Sequence, residues 1–183
     1  MESILNIFYI SDDPTQAAQW MVDKHVVKMI LESAQLLSTA HRLLDGRVTA
    51  GKSKLGRNVK RYILDDGREP VLYSATHVNH PSAVWARTSV ENYLWLADHF
   101  SALMDEYNYR YNKEHKCRGE LSYMLMSPPH NLREYDMTEM PCAMPDEYKV
   151  PGDSVESYRN YYRVGKSHMH SWKNRQPPEW ISA

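Results

Sequence analysis

The chain has only two cysteines in 183 residues, Cys117 and Cys142, and neither belongs to a C-x-x-C pair. That excludes a secreted disulfide scaffold and a cysteine-based structural zinc site, and it points to a reducing compartment. Strong charge of either sign is also missing, since the formal net charge is -1 and the pI is near 6.8. No global positive field draws in nucleic acid, so any such contact must come from local patches. Long apolar runs are absent too. The one near the start, residues 4–10, is too short for a membrane span, lacks a basic flank and is followed directly by Asp12 and Asp13, so neither a membrane protein nor a secretory signal is expected. Phenylalanine is scarce, two residues against thirteen Tyr and five Trp. Aromatics with a polar handle serve half-wet surfaces and stacking sites as well as cores.

What is present is an ordinary globular balance, 42% hydrophobic and 25% charged, in a length that suits one domain, residues 1–183. The expected fold is mainly α: a single domain built on two long helices and a shorter C-terminal helix, with a short N-terminal strand at 4–10. The first long helix is expected over 14–44. Ser11, Asp12 or Asp13 can cap it, Pro14 suits its first position, and no further Gly or Pro comes before Gly46. At 1.5 Å per residue such a helix spans about 45 Å. Residues 46–70 read as a mobile basic loop, because six basic residues and no acid lie between Arg47 and Arg61. The second long helix follows His80-Pro81, capped by Asn79, and continues to about Lys113. Residues 116–152 are rich in Pro and Met and read as irregular. A third helix begins at Asp153, whose spacing to Glu156 resembles a capping box. It carries Tyr158, Tyr161 and Tyr162 and is interrupted at Gly165. From Ser157 to Pro178 there are five Lys or Arg and no acid.

On the helix at 14–44, Val22, Val26, Met29, Leu36, Leu37, Ala40, Leu43 and Leu44 form one apolar arc at 100° per residue. His25, Lys28, Glu32, Gln35, Thr39 and Arg42 form a separate stripe at steps of three and four. That stripe is either a solvated face or a base, a cation, an acid and an amide gathered within about two turns. Asp23 falls at the edge of the apolar arc, where a carboxylate needs a partner or a purpose. A salt bridge to Arg87 or Arg110 is one account and catalysis is the other. His41 shares that bearing and reads as a core histidine with one hydrogen bond.

His77, Asn79 and His80 stand just before the second long helix, where free amides and the helix dipole favour phosphate; capping accounts for them as well. The His77-x-x-His80 spacing would suit two metal ligands, but with no Cys or H-E-x-x-H nearby no metal is expected, and no cofactor motif is present. Residues Gly46-Arg47-Val48-Thr49-Ala50-Gly51-Lys52-Ser53 match the P-loop pattern letter for letter. They leave a helix rather than a strand and lead into Leu55-Gly56, which excludes that reading. The basic stretch 47–61 and the basic, aromatic tail with Tyr161, Tyr162, Trp172 and Trp180 are the candidates for nucleic-acid contact.

The string Asp23-Lys24-His25-Val26-Val27-Lys28-Met29, with Asn79-His80-Pro81, Trp85-Ala86-Arg87 and Met144-Pro145-Asp146-Glu147-Tyr148-Lys149, resembles an uncharacterised family of tailed-phage proteins over nearly the whole chain. That resemblance implies a phage origin and the cytoplasm of an infected host cell, and it brings no activity. The layout also resembles the phage pyrimidine-dimer DNA glycosylases of the endonuclease V type, which are all-helical. The shared order is a short N-terminal segment, a long helix with carboxylates, a second long helix after a His-containing loop, and an aromatic, basic tail at Tyr158-Arg159-Asn160-Tyr161-Tyr162. The chain departs from that pattern twice. Those enzymes use an N-terminal amine exposed by Met removal, whereas Glu2 is too large for that removal to be expected; and they are strongly basic.

The residues favour an enzyme acting on a nucleobase or nucleotide, glycosylase-like or base-modifying. Asp23 or Glu32 would be the general acid or base, and Lys28 and Arg87 would meet phosphate or developing negative charge. His25, Gln35, His77, Asn79, His80 and Asn92 would contact the substrate. The partner expected is a nucleotide or nucleic acid, with no membrane. Two other readings stand beside it: a non-catalytic binder of a nucleotide or signalling molecule that counters host defence, and an inhibitor of a host protein that uses the Met-rich stretch 124–144.

Overall fold

The computed structural model describes residues 5–182; the expected strand residue Ile4, and Glu2, lie outside them. Among the described residues the order of the main elements is α1 (Pro14–Trp20), α2 (Asp23–Asp45), β1 (Arg47–Lys52), β2 (Asn58–Ile63), α3 (Pro81–Ala86), α4 (Val90–Tyr111), α5 (Glu120–Leu125) and α6 (Ser154–Asn160). The chain is mainly α, as its periodicities predict. No helix is long and apolar enough to cross a membrane among the described residues.

Two long helices, α2 and α4, form the frame. They run antiparallel, because Asp23 at the start of α2 meets Arg110 near the end of α4 while His41 near the end of α2 meets Tyr93 near the start of α4. Between them the apolar arc of α2, with Val26, Met29, Ile30 and Leu37, packs against Tyr93, Leu96, Phe100 and Leu103 in one core. Residues 5–10 cross this core in an extended path that joins no sheet. Phe8 holds a left-handed φ of 58° there, an unfavourable conformation for a bulky side chain. The Asn6 side chain fastens it by accepting from the amides of Ile7 and Phe8 at 2.8 and 3.1 Å.

The structure corrects four boundaries. The helix expected over 14–44 is two helices, broken at Met21 and Val22, which are extended. Nothing in the local sequence signals the break; distant residues stabilise it. The Arg110 guanidinium donates to the carbonyls of Gln19 and Met21, both at 2.9 Å, and the Trp172 indole donates to Trp20 at 2.8 Å. Carbonyls left open by the missing turn are thereby satisfied. The second long helix is likewise α3 and α4. His80, not Asn79, caps α3, its Nδ1 accepting from Ser82 at 3.2 Å, and Ser89 caps α4. The basic loop at 46–70 contains an antiparallel hairpin with Arg47 opposite Ile63 and Lys52 opposite Asn58. Residues 116–152 contain α5 and a 3-10 turn at Asp146–Tyr148. The third helix begins where Asp153 predicts, that side chain accepting from the Glu156 amide at 2.8 Å.

Candidate active site

The first turn of α2 borders a cavity of about 460 Å³ lined by Lys24, His25, Lys28, Tyr161, Lys166 and His168, with Gly165 and Met169 between them. Three stretches of chain build it. The extended N-terminal segment supplies Phe8, stacked on His25 with ring centres 4.0 Å apart. Helix α2 supplies Lys24, His25 and Lys28 at steps of one and three, so they share one side of its first turn. The third stretch is a π turn, Tyr161–Gly165, that follows α6. Its 3.0 Å bond from the Lys166 amide to the Tyr161 carbonyl reaches back five residues, a local widening that recurs at functional sites. It sets the buried Lys166 ammonium 5.0 Å from the Tyr161 ring centre and 5.8 Å from that of Phe8, within cation–π range. Gly165 makes room for this. A Cβ there would stand 2.6 Å from the Tyr161 ring and 3.2 Å from that of Tyr148.

His25 is buried, with Nδ1 2.6 Å from the Tyr162 hydroxyl. Burial first, and then the positive charges of Lys166, Lys28 and His168, push its pKa down to about 3. Burial raises the Tyr162 phenol, which stays protonated. A protonated phenol donating to Nδ1 leaves the proton of the neutral imidazole on Nε2. Behind Lys28 lies Glu32, almost fully buried. One oxygen is 3.5 Å from the Lys28 ammonium, and the other accepts from the Asn6 amide at 3.0 Å. Lys28 therefore links a buried carboxylate to a cavity that holds a neutral imidazole and the Tyr161 ring.

The structure brings His25 and Lys28 to one cavity, pairs Lys28 with Glu32 behind it, and sets the other expected site residues elsewhere. Asp23 points into a separate cluster. It takes hydrogen bonds from Arg110 at 2.9 Å, Ser171 at 2.6 Å and the Lys173 amide at 2.9 Å. Burial pushes its pKa up, but those three donors outweigh burial and hold the carboxyl below the usual range. Arg110, fully buried, also binds Glu106 at 2.7 Å, and Arg175 closes on the same carboxylate at 2.9 Å. Of the two partners the sequence offers Asp23, Arg110 is the one it meets. Arg87 donates to the carbonyls of Ala83 and Val78, both at 2.7 Å, and so fastens α3 to its own loop. Asn92 is fully buried and bonds Trp85 and both the amide and the hydroxyl of Thr138. Gln35 is half-buried farther along α2. His77, exposed with φ 48°, bonds the Thr76 hydroxyl at 2.8 Å; Asn79 is exposed beside it, and His80 is spent on its cap. The cavity on α2 includes none of His77, Asn79, His80 or Arg87. No group of three or more His, Cys, Asp or Glu is placed to hold a metal ion among the described residues.

Sequence reasoning missed Phe8, Lys24, Lys166 and His168 as members of the site. A signal for the last two existed, the acid-free basic stretch from Ser157 to Pro178. Nothing in the local pattern says that this stretch folds back onto the first turn of α2.

Fold and cavity together describe a mainly helical protein with a cavity lined by lysines, histidines and one tyrosine ring. Residues 5–119 match the family model described as pyrimidine dimer DNA glycosylase. That is more than half of the 183-residue chain, and the chain belongs to this family, whose description is that of glycosylase-like enzymes acting on nucleic-acid bases. No curated protein and no solved structure matches the chain.

Proposed function

We propose that the protein is a DNA glycosylase that excises a damaged pyrimidine, with the cavity on the first turn of α2 as its active site. The observation that carries this reading is the convergence of Lys24, Lys28, Lys166 and His168 on neutral His25, which Phe8 backs, and on the Tyr161 ring, in a chain of this family. Lys24 and Lys28 hold DNA phosphates as point charges, and His168 stands beside them as a hydrogen-bonding group. Tyr161 offers a face on which an extruded base stacks.

Glu32 is the proposed catalytic carboxylate and Asp23 a structural one. The C1′–N glycosidic bond breaks with both electrons leaving on the base, whose negative charge the Lys28 and Lys166 ammonium groups meet. The Glu32 carboxylate stabilises the developing positive charge on the sugar and takes the proton of a water that adds to C1′. The Asn6 amide and Lys28 hold that carboxylate in place.

The test is release of the base from its sugar in ultraviolet-irradiated duplex DNA, read as alkali-labile abasic sites because the two pyrimidines of a dimer stay joined to each other, by the purified chain and by Glu32→Gln, with DNA affinity measured alongside. Glu32→Gln is expected to slow release about 100-fold or more while duplex affinity stays the same. Wild-type release by Glu32→Gln, or no release by the unmodified protein, removes this assignment.

A further inference from the structure

The hairpin of β1 and β2 carries six cations and no acid between Arg47 and Arg61, and the cavity uses none of them. Arg47 pairs with Asp65, Lys52 bonds Asn58, and Arg61 bonds the Lys52 carbonyl. The side chains of Lys54, Arg57 and Lys60 are exposed and have no ion pair or hydrogen bond among the described residues. At the tip Leu55 is 82% exposed, next to Gly56 with its φ of 75°. The tip is nonetheless ordered by Ser53, whose amide donates to the Arg57 carbonyl at 2.8 Å and whose hydroxyl accepts from the amides of Leu55 and Arg57. The root is ordered as well. Arg42 donates to the Tyr62 carbonyl at 2.9 Å, and Glu69 accepts from the Leu64 amide at 2.8 Å.

Arg42 belongs to the same stripe of α2 as His25 and Lys28, so the hairpin is anchored on the side of the helix that borders the cavity. The two stand at opposite ends of α2, whose 23 residues make it about 34 Å long, close to one turn of B-DNA. We propose that the hairpin is a second duplex-DNA contact, rooted at the end of α2 opposite the cavity. Lys54, Arg57 and Lys60 grip the phosphates and Leu55 enters the minor groove as an apolar wedge. An ordered two-stranded ribbon can address a groove, its one-sign charge meets the flanking phosphates, and an apolar side chain between base steps assists local unstacking. The cavity reading supplies only the identity of the nucleic acid.

The experiment measures the affinity of the full chain, of the triple variant K54A/R57A/K60A and of L55A for undamaged duplexes at several salt concentrations. One duplex has about 25 base pairs; the other has about 8, which at 3.4 Å each is shorter than α2. The triple variant is expected to bind the long duplex about 10- to 100-fold more weakly. Its log–log salt slope should be shallower by about 0.9 for each phosphate that is no longer neutralised, and its affinity for the short duplex should be unchanged. L55A is expected to keep the salt slope and bind the long duplex about tenfold more weakly. Wild-type affinity and slope in both variants overturn the hairpin contact and leave the cavity reading standing, since base release is measured separately. If the unmodified chain binds neither duplex, both readings fall.

Discussion

Two ionic clusters stand at the start of α2, and they do opposite things with similar residues. Around Asp23, every charge is used: the Arg110 guanidinium is fully buried and divides its donors between two carboxylates and two carbonyls. One turn along, the Lys28 side chain is 48% exposed, and Lys24 and His168 face an open cavity. The first cluster holds a broken helix together; the second is available to a ligand. Carboxylate and cation on neighbouring turns of one helix therefore take their roles from the residues that come to meet them.

The sharpest way to break this comparison is to remove one cation from each cluster. Arg110→Ala leaves the carbonyls of Gln19 and Met21 without their donor and takes the shared cation from Asp23 and Glu106, which keep only Ser171, the Lys173 amide and Arg175. It is expected to cost about 3–5 kcal/mol of stability, read as a lower urea midpoint with an unchanged slope. Lys28→Ala removes a half-exposed group and is expected to stay within about 0.5 kcal/mol of wild type while weakening DNA binding. Equal stability losses in the two variants would erase the distinction.

Gly165→Ala tests the cavity wall at a smaller scale. The added methyl collides with the Tyr161 and Tyr148 rings, and the overpacking is expected to cost about 1–3 kcal/mol. Base release should fall with it, because the ring that moves is the proposed stacking face. A variant with native stability and native release would show that Tyr161 has no fixed role.

How far all this was legible follows one division. The helical class, the α6 cap at Asp153 and the core face of α2 come from local periodicity and capping, so Val26, Met29 and Leu37 could be read directly. Lys28, Glu32 and His25 could be singled out because they share a stripe. The break at Met21 and Val22 could not, since the groups that stabilise it, Arg110 and Trp172, are 89 and 152 residues away from the carbonyls they bind. For the same reason Asp23 could be seen to need a partner without the sequence deciding between Arg87 and Arg110. The hairpin was hidden in another way: its strands are short, no residue in them is fully buried, and its charges pointed to a loop. Arg87 and Asn92 have the chemistry of a site, and the carbonyls and hydroxyl that surround them in the fold occupy that chemistry.

Histidines give the finest probe of the same contrast. His25 beside the cavity is held at about 3, while His41 and His99 in the interior are held at about 4, in each case chiefly by burial. A folded pKa below the unfolded value of about 6.5 means that the unfolded chain binds the extra proton. Stability is therefore full above that value and declines as pH falls toward 4, by up to about 1.4 kcal/mol per pH unit for each histidine. His99→Phe removes one of these dependences, because His99 is wholly buried, bonds only the Pro14 carbonyl among the described residues and leaves Nε2 without a partner. Its stability between pH 6.5 and 5 should fall less steeply than that of wild type. The second step separates the two regions. The cations near His25 contribute to its low pKa, and a bound phosphate backbone offsets them, so saturating DNA is expected to raise the His25 pKa by about one unit. His99, packed against Trp95 and outside the cavity lining, should not move. Imidazole proton shifts followed by NMR through an acid titration, with and without DNA, read both at once. A shift at His99 equal to that at His25 would mean that DNA reorganises the whole helical frame, and the cavity on α2 would lose its claim to be the site of contact.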